Sequence, residues 1–112
     1  MGTPAVIQFC EPDGTICARL YAHYDGKLIP ERLGEFERMV KLRGWPMGDS
    51  PSKWAAGYSA WQFDYHRAEY GVDLFEALSH IPHPEMRDCN AVVYWRVFVS
   101  AGKLCIVKIR GE

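Results

Sequence analysis

A chain of 112 residues fits one domain, and 48% apolar with 13% aromatic content is enough to bury a core without disulfides or metal. The 13 Lys and Arg against 14 Asp and Glu leave a net charge of −1, without the basic excess of a nucleic-acid binder or the acidic excess of a nucleic-acid mimic. No apolar run reaches the ~18 residues that span a bilayer, and no basic stretch leads into an apolar one as in a secretion signal, so the expected setting is cytoplasmic.

The first elements form a hairpin. Ala5 to Cys10 and Cys17 to His23 are rich in strand formers, and Pro12-Asp13-Gly14-Thr15 lies between them. Asp-Gly tolerates φ > 0 at both positions and predicts a two-residue turn. That turn sets Cys10 against Cys17, Gln8 against Arg19 and Val6 against Tyr21. Ile7, Phe9, Ile16, Ala18 and Leu20 then share the core face, and Gln8, Arg19, Tyr21 and both cysteines the other.

A helix follows from about Glu31 to Arg43, opened by Pro30. Leu33, Phe36 and Val40 form its apolar stripe, and Gly44 with Trp45-Pro46 ends it. Ser50 is an N-cap before Pro51, and a second helix runs from Pro51 to Tyr70. Trp54, Tyr58, Trp61, Tyr65 and Ala68 fall on one of its faces and are expected to pack on the sheet. Asp73 to Ser79 reads as a short helix, a short strand or irregular chain, and His80-Ile81-Pro82-His83-Pro84 as a loop.

The last third is a second hairpin, Ala91 to Val99 and Leu104 to Ile109, turning at Ser100 to Lys103. Val93, Trp95, Val97 and Val99 share its core face; Tyr94, Arg96 and Phe98 share the other. The expected fold is α+β: a single domain with an antiparallel four-stranded sheet in ββααββ order and two main helices on one face.

Chemistry-bearing residues are sparse. His23 and Asp25 sit at a strand end, where a carboxylate could orient an imidazole as a base. The alternative is a turn at Asp25-Gly26 with backbone capping. No nucleophile or oxyanion motif accompanies the pair, so no catalytic residue is assigned. His80, His83 and Cys89 have metal-ligand side chains in an H-x2-H-x5-C spacing, with His66 as a fourth, but not the paired spacing of a structural zinc site. No metal or cofactor is assigned. The four cysteines, Cys10, Cys17, Cys89 and Cys105, read as reduced thiols.

Aromatic residues exceed what one helix face can hold. Trp45, Phe63 and Tyr70 lie off the stripe, and Tyr21 and Arg19 lie on the non-core face of the first hairpin. These five are the candidate binding residues.

The stretch Leu20-Tyr21-Ala22-His23-Tyr24-Asp25-Gly26, followed by Pro30 and Leu33-Gly34, resembles a group of small bacterial and phage proteins. Their strand ends in H-W-D-G-Y-P and leads into a helix opened by L-G. Ala55 to Phe63 is similar to that group's small-residue and aromatic helix, and Val93-Tyr94-Trp95-Arg96-Val97 to its Y-x-Y-x-V strand. Tyr24 stands where the group has Trp, and Lys27-Leu28-Ile29 separates Asp-Gly from the proline. The group has no established activity. The resemblance implies a mobile-element setting, in which such domains bind and inhibit host defence complexes. The functional expectation is an interaction protein with a protein partner, without membrane attachment, and with a homodimer left open. A small enzyme built on His23 and Asp25, with or without metal, and a single-stranded nucleic-acid binder are the alternatives.

Overall fold

The computed structural model describes residues 4–22, 26–70, 78–80 and 92–111, of which 22, 62–70 and 78–80 are described by their backbone alone. The elements in chain order are β1 (Ala5–Cys10), β2 (Ile16–Ala22), a 3₁₀ turn (Gly26–Leu28), α1 (Ile29–Arg43), α2 (Pro51–Tyr70), β3 (Leu78–His80), β4 (Val93–Ser100) and β5 (Lys103–Arg110).

The fold is α+β with two helices, but the sheet is mixed rather than antiparallel. Its four long strands lie in the order β2-β1-β4-β5, and the three-residue β3 extends the β2 edge. Each hairpin is antiparallel, as its short turn requires. The two hairpins meet through their first strands, and β1 runs parallel to β4 from Ala5–Val93 to Cys10–Phe98. Element order is therefore ββααβββ, the added strand falling at the end of the ambiguous 73–79 stretch.

The first turn also differs from its expected form. The Gly14 N–H donates to Glu11 O at 2.9 Å, and Glu11 N–H donates to Thr15 O at 2.9 Å. Gly14 has φ +95°. This is a three-residue loop, a tight turn over Pro12-Asp13 followed by a left-handed glycine. Proline's fixed φ suits the first corner of that turn, which moves the glycine one place later than an Asp-Gly two-residue turn needs. The shift is absorbed by a bulge between Phe9 and Cys10. Val6–Tyr21 and Gln8–Arg19 pair as the sequence predicts, but Cys10 pairs with Ile16, not Cys17. Cys10 and Cys17 are both free thiols.

Helix α1 starts two residues before Glu31 and stops as expected. Gly44 adopts φ +68°, and the N–H groups of Gly44 and Trp45 reach back to Lys41 O and Val40 O. That pair of bonds is the Schellman arrangement that only a residue tolerant of the left-handed region allows cheaply. Helix α2 has the predicted bounds. Ser50 Oγ accepts from Lys53 N–H at 3.3 Å, which caps its first turn.

Both helices pack on one face of the sheet. Ile7, Phe9, Leu20, Val93, Val97 and Val99 meet Leu33, Phe36, Val40, Trp54 and Tyr58 in one buried cluster. Phe36 is its hub, with ring centroids 5.9, 5.8 and 5.6 Å from Trp54, Tyr58 and Trp61. Gly57 lets the helices approach: a Cβ there would lie 2.7 Å from Met47 Cε and 3.1 Å from Phe36 Cζ. Trp95 closes the sheet's end, its Nε1–H donating to Gly26 O at 2.7 Å.

Candidate binding face

The face of the sheet turned away from the helices carries the polar chemistry. Register places its residues in rows across the strands. One row runs Tyr21, Val6, Tyr94, Arg110; the next runs Arg19, Gln8, Arg96, Val107; a third carries Cys10, Phe98 and Cys105. Period-two alternation within each strand generates these rows once the pairing is fixed.

Gln8 is the pivot. It is the single buried polar side chain among the described residues, 8% exposed, on the central strand. Its Oε1 accepts two bonds from Arg96, from Nε at 3.3 Å and Nη2 at 3.2 Å. A neutral amide oxygen thus orients a guanidinium without cancelling its charge. Arg19 flanks Gln8 on the other side, and its buried Nε has no hydrogen-bond partner. A buried unsatisfied donor costs roughly 1–3 kcal/mol. The Arg110 guanidinium lies over the Tyr94 ring, 4.3 Å from its centroid, within cation–π range.

The balanced net charge conceals this arrangement. The five strands contain Arg19, Arg96, Lys103, Lys108 and Arg110 and not one Asp or Glu. The acidic residues described outside the strands, Glu11, Asp13, Glu31, Glu35, Glu37, Asp49, Asp64 and Glu69, lie in the first turn, in the helices or between them. Among the described residues the strands are thus purely basic, four of their five cations falling on β4 and β5, while the whole chain stays near neutrality.

Cys10 is buried beneath this face, and burial pushes its thiol above the ordinary range against the opposing pull of Arg96 and Arg19. Cys17 is also raised, first by desolvation and then by the Glu11 carboxylate. Neither has the lowered pKa of a nucleophilic cysteine.

The predicted binding residues divide. Tyr21 and Arg19 belong to this face. Trp45, 42% exposed, follows α1 and stands on the helix side, with Arg43 5.9 Å from its ring centroid. The side chains of Phe63, Tyr70 and His80 lie outside the described residues, as do His23, Asp25, His83 and Cys89. Among the described residues no three His, Cys, Asp or Glu gather as metal ligands, and no helix is long and apolar enough to cross a membrane.

Gln8, Tyr94, Arg96 and Arg110 were missed as site residues. Alternation in β4 already set Tyr94 and Arg96 opposite its valines. Their meeting with Arg19 depends on the parallel β1–β4 pairing, which no local signal announces. Comparison with protein-family models, curated proteins and solved structures finds no match to this chain.

Proposed function

We propose that the protein is a small interaction protein of the phage or mobile-element kind, and that it binds an acidic surface of a protein partner with the face built on Arg19, Gln8, Arg96, Tyr21 and Tyr94. The observation that carries this reading is the Arg19–Gln8–Arg96 row on a sheet without a carboxylate. An arginine held by a neutral amide keeps its charge available to a partner's carboxylate. Tyrosine and arginine together are the residue types that dominate protein-binding hot spots. The resemblance over Leu20 to Gly34 makes a host defence complex the first partner to test.

Base stacking fits the rings less well. Arg110 covers Tyr94 at 4.3 Å, Lys108 lies 5.9 Å from Trp95 and Arg43 5.9 Å from Trp45. A base would have to displace these cations before it could stack.

The test is affinity capture from host cells with wild-type protein, an Arg19→Glu/Arg96→Glu variant and Trp45→Ala side by side. The wild type and Trp45→Ala should retain the same protein, and the double variant at least tenfold less; circular dichroism establishes that it is folded, and Arg19→Lys/Arg96→Lys, which keeps the charge, should restore capture. A folded double variant that captures the same protein as well as wild type refutes the assignment.

A further inference from the structure

We infer that the outer edge of β5, which pairs with no further strand among the described residues, is a pairing site for an acidic, extended segment of a partner protein, which joins the sheet as a further strand. The inference rests on the protein-binding reading and adds the form the partner takes.

The edge is defined by the hairpin turn. Ala101 and Gly102 have φ +50° and +72°, the two-residue turn that makes Ser100–Lys103 a hydrogen-bonded pair. Bonded pairs then alternate through Phe98–Cys105 and Arg96–Val107. Leu104 and Ile106 consequently turn their N–H and C=O groups outward, away from β4. The protein itself shows what these groups accept. Leu104 N–H donates to Glu37 Oε2 at 3.0 Å, and Gly102 N–H in the turn donates to Asp49 Oδ1 at 2.7 Å. Two carboxylates from the helix side close the turn end of the strand, and the edge opens from Ile106 onward.

The side chains of that open stretch select the occupant. Val107 and Ile109 are exposed apolar residues, 41% and 40%. Lys108 and Arg110 interleave with them, and neither β4 nor β5 contains an acidic residue. The register turns Val107 and Arg110 to the polar face and Lys108, opposite Trp95, to the helix face, so basic residues stand on both faces of the edge and match a strand with acidic residues on both of its faces. A second copy is a poor occupant, because two β5 edges would bring six cations together, from Lys103, Lys108 and Arg110 of each, with no carboxylate on either strand. Charged side chains and a bulge, here between Tyr94 and Trp95, are the devices that keep an edge from pairing with itself. They leave it open to a strand of opposite charge.

The probe is a nine-residue peptide of paired glutamates and paired valines, which sets glutamate on both faces of a strand, added to isotope-labelled protein and followed by amide shifts and hydrogen exchange. Exchange at Ile106 should slow at least tenfold at saturation, and a lysine–valine peptide should have no effect. Lys108→Glu/Arg110→Glu should weaken the glutamate peptide at least tenfold. Ile106→Pro removes the outward donor while sparing the ladder to β4, and should abolish binding. Since it also trims core packing, it is read beside the double charge variant. Arg19→Glu/Arg96→Glu should leave the Ile106 protection in place, so the edge and the face fail separately. Peptide shifts confined to the Arg19–Gln8–Arg96 row overturn the edge and spare the face. Displacement of the peptide by oligothymidylate, Ile106 protection arising from dimerisation without peptide, or no binding at all, each overturns the inference.

Discussion

Truncation of Trp54 is the sharpest test of the helix-on-sheet packing. Its side chain is 1% exposed, stands edge-on to Phe36 at 5.9 Å and donates from Nε1 to Gly48 O at 2.9 Å. Trp54→Ala removes a fully buried indole from the packed core, and such truncations cost roughly 3–5 kcal/mol. A chain of 112 residues has a total stability of about 6–17 kcal/mol, so the loss is a large share of it. The melting temperature should fall by roughly 12–25 °C. Trp54→Phe keeps an aromatic ring against Phe36 but loses the hydrogen bond and part of the volume; Gly48 is exposed, so water can take its carbonyl, and the cost should be about 1–2 kcal/mol. Trp61 is half-buried under Arg32, 5.2 Å from its ring centroid, and Trp61→Ala should cost about 1–2 kcal/mol. Urea unfolding followed by circular dichroism measures all three. If Trp54→Ala costs less than Trp61→Ala, the packing order described above is wrong.

Gly34→Ala should stabilise the protein by about 1 kcal/mol, because the new Cβ meets only Arg38 Nη1 at 3.7 Å; a lower urea midpoint would contradict the placement of Gly34 in α1. Gly111→Ala should cost roughly 2 kcal/mol or more, since φ is +123° and the Cβ would lie 2.8 Å from Val92 O and Val93 Cα, and calorimetry would register an unchanged melting point as a failure. In thiol titration of native protein Cys17 and Cys105 should react quickly and Cys10 only on unfolding, following their exposure. Asp13 accepts the Thr15 N–H, which holds its carboxyl below the usual range. Its contribution is therefore complete above the unfolded value of about 3.9 and is lost as pH falls through the lower folded value. Wild type should lose more stability than Asp13→Asn in acid titrations of the urea midpoint.

Local chemistry made much of this fold legible. Ser50-Pro51 marked the start of α2, Gly44 the end of α1, and alternation in Val93 to Val99 the core face of β4. Pro12 misled because the adjacent Asp-Gly pair signals a shorter turn, and the proline's own preference for the first corner decided the outcome. The parallel contact of β1 with β4 was not legible, since both strands are apolar enough to pair with any neighbour. The site shared that fate: Arg19 and Tyr21 could be placed on one face of one hairpin, but Arg96 joins them only through the pairing at the sheet's centre.

That central pairing also orders events in time. Gln8 and Arg96 are 88 positions apart, and contacts of that span carry a high loop-closure cost before they repay it. During synthesis the β1–β2 hairpin and α1 can form while the inner edge of β1, with the sequence AVIQFC, still waits for β4. A ribosome makes ~5–20 residues per second, so this uncharged edge stays unpaired for several seconds after its own strand emerges. Shortened products that stop before β4 should aggregate. Expression yield should then depend more on the passage from α2 to β4 than on the strength of any finished contact.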